Sequence, residues 1–321
     1  VKPGLQALAL AALAALMPLG AQETPRNNRM VWFAIFPEPL PEPVAELGLE
    51  VSSQLLRPAF EHSGDGRTFA RVDGEDWQLT WTQAWRLGPG SLAVTLRGLQ
   101  RSGGIFDQLI TNYHRVFGFP EGGREYTPNF RLDYRLVRDG VTIGDLRKPG
   151  FHVMDSDVAY VVPFGDRAQG ARIGVSLQLP TGKVDDFSGS GGLDKLVGGA
   201  AWKSFGRWRV HGQAERVWIG LPAASPYRLV LEHRSLSRVW AGAGYQGPDT
   251  SLLGGLGLDI TLAYHESPYH VGIYRVDRSG WQQNWTITHR ALPRWRFGVS
   301  EDAGTFTNPD ITAYVIWRMS R

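Results

Sequence analysis

The chain has 321 residues, with 34 Lys plus Arg against 31 Asp plus Glu and a formal charge of +3. That balance gives no electrostatic case for a nucleic-acid partner. The absence of cysteine excludes disulfides, thiol nucleophiles and thiolate metal sites.

Twelve Trp, ten Tyr, fourteen Phe and 39 Gly fit an all-β architecture, in which rings pack on pleated surfaces and glycine serves the turns. Residues 1–21 carry Lys2, an apolar run from Leu5 to Leu19 and the small-residue ending Gly20-Ala21. This is the pattern of a secretory signal peptide cut after Ala21, and its apolar run falls short of the roughly 20 residues a membrane helix needs. Residues 22–43 read as an N-terminal leader or plug-like segment. Pro37, Pro39, Pro41 and Pro43 make a poor central strand, because proline offers no ladder N–H.

Residues 44–321 read as an outer-membrane β-barrel. Leu47, Leu49 and Val51 alternate with Gly48, Glu50 and Ser52, and Trp77, Leu79, Trp81 and Trp85 alternate with Gln78, Thr80 and Thr82. A Gly88-Pro89-Gly90 turn follows, and then Leu92, Val94 and Leu96 opposite Thr95 and Arg97. Alternation resumes at Phe130, Leu132, Tyr134 and Leu136 up to an Asp139-Gly140 turn, and again over 153–162. Ile173, Val175, Leu177 and Leu179 oppose Arg172, Gly174, Ser176 and Gln178 before a long polar loop, Pro180 to Asp194. Further strands are expected near 195–205, 207–218, 228–234, 236–245, 251–264, 268–276, 281–290, 294–301 and 310–319.

These runs match the 9–11 residues of a tilted transmembrane strand, and their second face is polar, as a lumen requires. Asp139-Gly140, Phe205-Gly206 and Arg278-Ser279-Gly280 read as short turns against long outer loops. The fold expected is a transmembrane antiparallel barrel of about 12 strands.

One stretch interrupts the period of two. In Phe106 to Arg124, FDQLITNYHRVFGFPEGGR, the residues Phe106, Leu109, Ile110, Tyr113 and Phe117 recur at helical spacing, predicting a short helix over about 106–118. Asp107, Thr111 and His114 share one flank. With Arg124 as an anion anchor they form a candidate binding site in the lumen or mouth. The plainer reading is a scaffold helix, with Asp107 favouring the helix dipole.

FDQLITNYHRVFGFPEGGR, SLQLPTGKVDDFSGSGGLD (176–194), SEDAGTFTNPDIT (300–312) and RVDGEDWQLTW (71–81) together resemble the bacterial family catalogued as domain of unknown function 3187. The resemblance implies an outer-membrane barrel and supplies no catalytic residues to carry over.

Other constellations are weaker. Ser235 with His233, or His289 with Asn284, invites a lipid-modifying hydrolase scheme, but no spacing singles either out. His265, Glu266 and His270 suggest a metal and Asp185, Asp186 and Asp194 suggest calcium, yet neither spacing matches a compact site. The reading is therefore an outer-membrane barrel, porin-like and exported, without catalytic residues, metal or cofactor. Its partners are outer-membrane lipid and a small solute, it is a monomer, and it passes or binds that solute. The alternatives are a structural barrel with a filled lumen and an outer-membrane lipid-modifying enzyme.

Overall fold

The computed structural model describes residues 37–41, 46–55, 59–117, 128–166, 168–248, 255–302 and 311–320. In chain order the strands are β1 (Glu46–Leu55), β2 (Ala59–His62), β3 (Thr68–Val72), β4 (Glu75–Leu87) and β5 (Gly90–Ser102), then the helix α1 (Asp107–Phe117). Next come β6 (Tyr134–Arg138), β7 (Val141–Leu146), β8 (Gly150–Val153), β9 (Ser156–Gly165), β10 (Gln169–Leu179), β11 (Asp194–Phe205) and β12 (Trp208–Trp218). The last are β13 (Ser235–Gln246), β14 (Leu256–His265), the one-turn helix α2 (Tyr274–Asp277), β15 (Gly280–His289), β16 (Trp295–Asp302) and β17 (Ile311–Ser320).

Among the described residues, twelve antiparallel strands close on themselves in the order β1, β4, β5, β9 to β17. Closure runs through β1 and β17, paired from Glu46 opposite Ser320 to Leu55 opposite Ile311. Leu79, Ile173, Val175, Val197, Val239 and Ile287 stand exposed on the outer face. Trp85, Phe164, Phe205, Trp208 and Trp295 ring that face near one end, and Trp77, Trp218, Tyr264 and Trp281 near the other. An apolar band between two aromatic girdles is a surface solvated by lipid, not water.

The two ends differ. At one, Gly88-Pro89 and Gly206-Arg207 are tight turns, and β1 begins and β17 ends there. At the other, the connections are long, and β2, β3, β6 and β7 pair into a separate four-stranded sheet. This sheet caps the barrel. Leu132, Tyr134, Leu136 and Ile143 bury their side chains with Phe187, Tyr227, Tyr269, Val271 and Val276 from three other connections, forming an apolar core outside the lumen.

Gly144 on β7 permits the closest approach, since a Cβ there would lie 2.4 Å from the Phe187 ring. The hairpin between β6 and β7 turns through Asp139 (φ 52°) and Gly140 (φ 76°), the left-handed pair a tight two-residue turn needs.

Three sequence expectations change. Residues 130–136 and the Asp139-Gly140 turn belong to the cap and not to the barrel wall. The strands expected at 228–234 and 268–276 are instead a 3-10 turn at Pro226–Leu229 and the short helix α2, joined by one bridge from Leu231 to Tyr269. Pro226 and Pro268 withhold ladder donors there, and the apolar residues serve the cap core. Arg278-Ser279-Gly280 therefore lies at the loop end, among the long connections.

A charge on the lipid face should be costly. Ile173→Arg, in the middle of β10, is expected to lower the unfolding free energy in bilayers by about 2–4 kcal/mol, measured by chemical denaturation. Ile173→Val should leave the barrel nearly as stable as the parent.

Candidate functional site

Alternation dictates what faces the lumen. On β10 the inward residues are Arg172, Gly174, Ser176 and Gln178; on β12 they are His211, Gln213, Glu215 and Val217. Arg97, Arg101, Arg172 and Arg238 are all buried, as are Asp157, Glu215 and Asp259. Buried charges are tolerated only when paired and hydrogen-bonded, so the lumen is built as a network.

Residues 37–41 lie inside that network. Pro37 O accepts a hydrogen bond from Arg238 Nη1 at 3.0 Å. Glu38 Oε1 accepts from Arg97 Nη1 at 3.0 Å, and Arg97 Nη2 pairs with Asp157 at 2.9 Å. Leu40 N–H donates to Glu215 Oε1 at 2.8 Å, while Leu40 O accepts from Arg172 Nη2 at 3.3 Å. Arg172 also donates to Gln213 Oε1 at 2.7 Å, and Arg238 to Glu215 Oε2 at 2.6 Å. The segment thus straps the inner wall from β5 across to β13.

The Leu40 side chain is wholly buried among Val161, Leu196, Val217 and Leu236. Its seat comes from the register. Val161, Gly174, Gly198, Glu215 and Arg238 stand side by side on β9 to β13, where Gly174 makes room for Leu40 and Gly198 for the Glu215 side chain. A Cβ at Gly174 would lie 3.2 Å from Leu40 Cδ1.

At the loop end, the connection between β10 and β11 folds over the strand ends. Arg101 donates to Phe187 O at 3.1 Å and to Asp186 O, and pairs with Asp76 at 3.3 Å. Asp155, between β8 and β9, anchors the same loop by accepting from Gly182 N–H at 2.8 Å and Ser190 N–H at 2.7 Å. Burial pushes the Asp155 carboxyl above its ordinary value, against the pull of those two N–H groups and of Arg97.

At the turn end, a cavity of about 340 Å³ is lined by Arg207, Arg209, Arg290, Trp208 and Gln246 among others. The Arg209 guanidinium lies over the Trp202 ring at 5.5 Å, which fixes its plane. Among the described residues no carboxylate lines this cavity.

Asp107 and Thr111, singled out from sequence, lie on the helix α1 and not among the residues of this network. Asp107 begins α1, and its Oδ2 accepts from Phe130 N–H at 2.7 Å, tying the helix to the chain before β6. Thr111 is half-buried on the same helix. The side chain of His114 and the whole of Arg124 lie outside the described residues.

Asn284 faces the lumen and His289 the outer surface, so that pair does not meet. Ser235 Oγ accepts from Arg216, whereas His233 is exposed beside Glu232. Glu266 serves Arg216 and the Ser237 N–H, and His270 pairs with Glu232. Asp186 turns to His152 and Asp194 to Gly220 N–H.

Sequence reading missed the grouping of Arg97, Arg172 and Arg238. Its only signal was an arginine at the inward phase of each strand.

A closed antiparallel barrel with a lipid-facing apolar band and a polar lumen is an outer-membrane β-barrel. Residues 68–213 match the family model described as Protein of unknown function (DUF3187), so the resemblance seen in the sequence is borne out there. Of the motifs that carried it, only 300–312 falls outside the matched stretch.

Among solved structures, the COG4313 outer membrane channel from Pseudomonas putida F1 is similar at 12% identity, covering 93% of this chain and 100% of its own, with a TM-score of 0.49. The NanC porin follows at 7% identity, 85% and 99% coverage and a TM-score of 0.43. An anion-selective porin from Comamonas acidovorans has 10% identity, 85% and 97% coverage and a TM-score of 0.31. At these scores none of the three bears on what this barrel carries. No curated protein matches the chain in sequence.

Asp155 sets a pH dependence of stability. Burial raises its carboxyl in the folded protein, so the folded state holds the proton more tightly than the unfolded chain. Its contribution to stability is full below the ordinary carboxylate range and is lost as pH rises through the raised value. The denaturation midpoint of the parent should fall over that window relative to Asp155→Asn, which carries no carboxyl at this position.

Proposed function

We propose that this barrel is an outer-membrane channel for small solutes and that residues 37–41 are its plug. The observation that carries this reading is how the strap is held. Two of its carbonyls and one carboxylate meet lumen arginines, and the Leu40 side chain sits in the space that Gly174 leaves open.

A strap held by polar contacts to a wall that is itself polar can exchange those contacts for water when it leaves. Withdrawal leaves Arg97 with Asp157, Arg238 with Glu215 and Arg172 with the Gln213 amide, so each of these arginines keeps a wall partner without the strap. The cap and the 180–193 loop form the second closure at the loop end. Asp107, Thr111, His114 and Arg124 enter the proposal only as outer contacts, on the connection that leads into the cap.

The test is single-channel recording in planar bilayers. Glu38→Ala/Leu40→Ala removes the carboxylate pairing with Arg97 and the side chain seated against Gly174. It should conduct in steps for a larger share of the time than the parent. Heat-modifiable gel mobility verifies that both barrels are folded. Folded protein of both kinds without stepwise current would contradict the channel and favour a barrel whose filled lumen is structural.

A further inference from the structure

The strap also describes what the lumen is shaped to bind. Three arginines from three strands, Arg97 on β5, Arg172 on β10 and Arg238 on β13, converge on oxygens of a five-residue segment: a carboxylate oxygen of Glu38 and the carbonyl oxygens of Pro37 and Leu40. Directly beside them the Leu40 side chain fills an apolar slot of Val161, Leu196, Val217 and Leu236, floored by Gly174. Arginines that fix oxygens next to a slot that fits a branched aliphatic chain make a site for one chemical type.

We propose that a small aliphatic carboxylate binds there when the strap withdraws, its carboxylate on the arginines and its chain in the Leu40 slot. This rests on the reading of 37–41 as a removable plug and names the solute class for the same lumen. Guanidinium groups suit the anion because their planar forks meet carboxylate oxygens in pairs. The slot is lined by apolar side chains, so an acid with a chain gains burial there that an acid without one does not.

Withdrawal removes the Glu38 carboxylate from Arg97, which keeps Asp157 and has Asp155 nearby, and leaves Arg172 on the neutral Gln213 amide and Arg238 on Glu215.

Strap and solute therefore compete for one site. Hexanoate, as the probe, is titrated calorimetrically into the refolded barrel, with detergent alone subtracted. Glu38→Ala/Leu40→Ala should bind hexanoate roughly tenfold or more tightly than the parent, and acetate much more weakly than hexanoate. Adding Arg172→Gln to that variant should cost roughly tenfold or more, the weight of one charge-assisted hydrogen bond. The glutamine amide still serves Gln213, so the barrel should keep its heat-modifiable mobility, and Arg172→Lys should rescue part of the affinity.

Equal hexanoate affinity in parent and strap variant, acetate binding as well as hexanoate, or insensitivity to Arg172→Gln would each overturn the proposal. The readout is binding, not current. A conducting barrel without hexanoate binding refutes the site alone, and hexanoate binding to a barrel that never conducts refutes the channel alone.

Discussion

The ladder between β1 and β17 is the constraint on which everything else rests. In hydrocarbon every backbone N–H and C=O must find a partner within the protein, so a sheet survives there only without edges. Ten residue pairs, from Glu46 opposite Ser320 to Leu55 opposite Ile311, join the first strand to the last and abolish both edges at once. Closure then fixes which phase of each strand looks inward. Because that phase carries arginine, aspartate, glutamine and threonine, closure also commits the chain to burying charge.

The lumen network is the consequence. An isolated buried guanidinium costs several kcal/mol, and each one here is met by carboxylates, amides or carbonyls. Part of that supply comes from the wall, through Asp157, Glu215 and Gln213, and part from a segment outside the barrel strands, residues 37–41. The cap works differently. Its sheet buries an apolar core with the loops, and it is tied to the barrel by a polar contact, Tyr134 Oη donating to Asp76 at 3.1 Å. The cap is thus built on an apolar core of its own, while the strap is held mostly by polar contacts, with Leu40 seated against Gly174.

Much of the wall was legible from alternation alone. The outward set Trp77, Leu79, Trp81 and Trp85 and the inward set Arg172, Ser176 and Gln178 stand where the period of two put them. The cap was not legible, because residues 130–146 alternate as barrel strands do. Only pairing distinguishes a strand that joins β3 from one that joins the ring, and pairing is non-local. The expected strands at 228–234 and 268–276 failed for a related reason. Their apolar residues are real, but they pack on the cap core instead of lining a ladder. Around Phe106–Arg124 the sequence drew attention to polar residues close in the chain. The lumen network joins Arg97, Arg172, Glu215 and Arg238, far apart in sequence and brought together by register.

The central claim is that residues 37–41 close the lumen and can leave it. The chain has no cysteine, so Leu40→Cys with Leu196→Cys, two positions of one buried cluster, creates a single addressable pair. Single-channel current is recorded with the pair cross-linked and again after reduction, the linkage being verified on gels. The account predicts that cross-linking silences the channel and reduction restores stepwise current. Equal current in both states would contradict it.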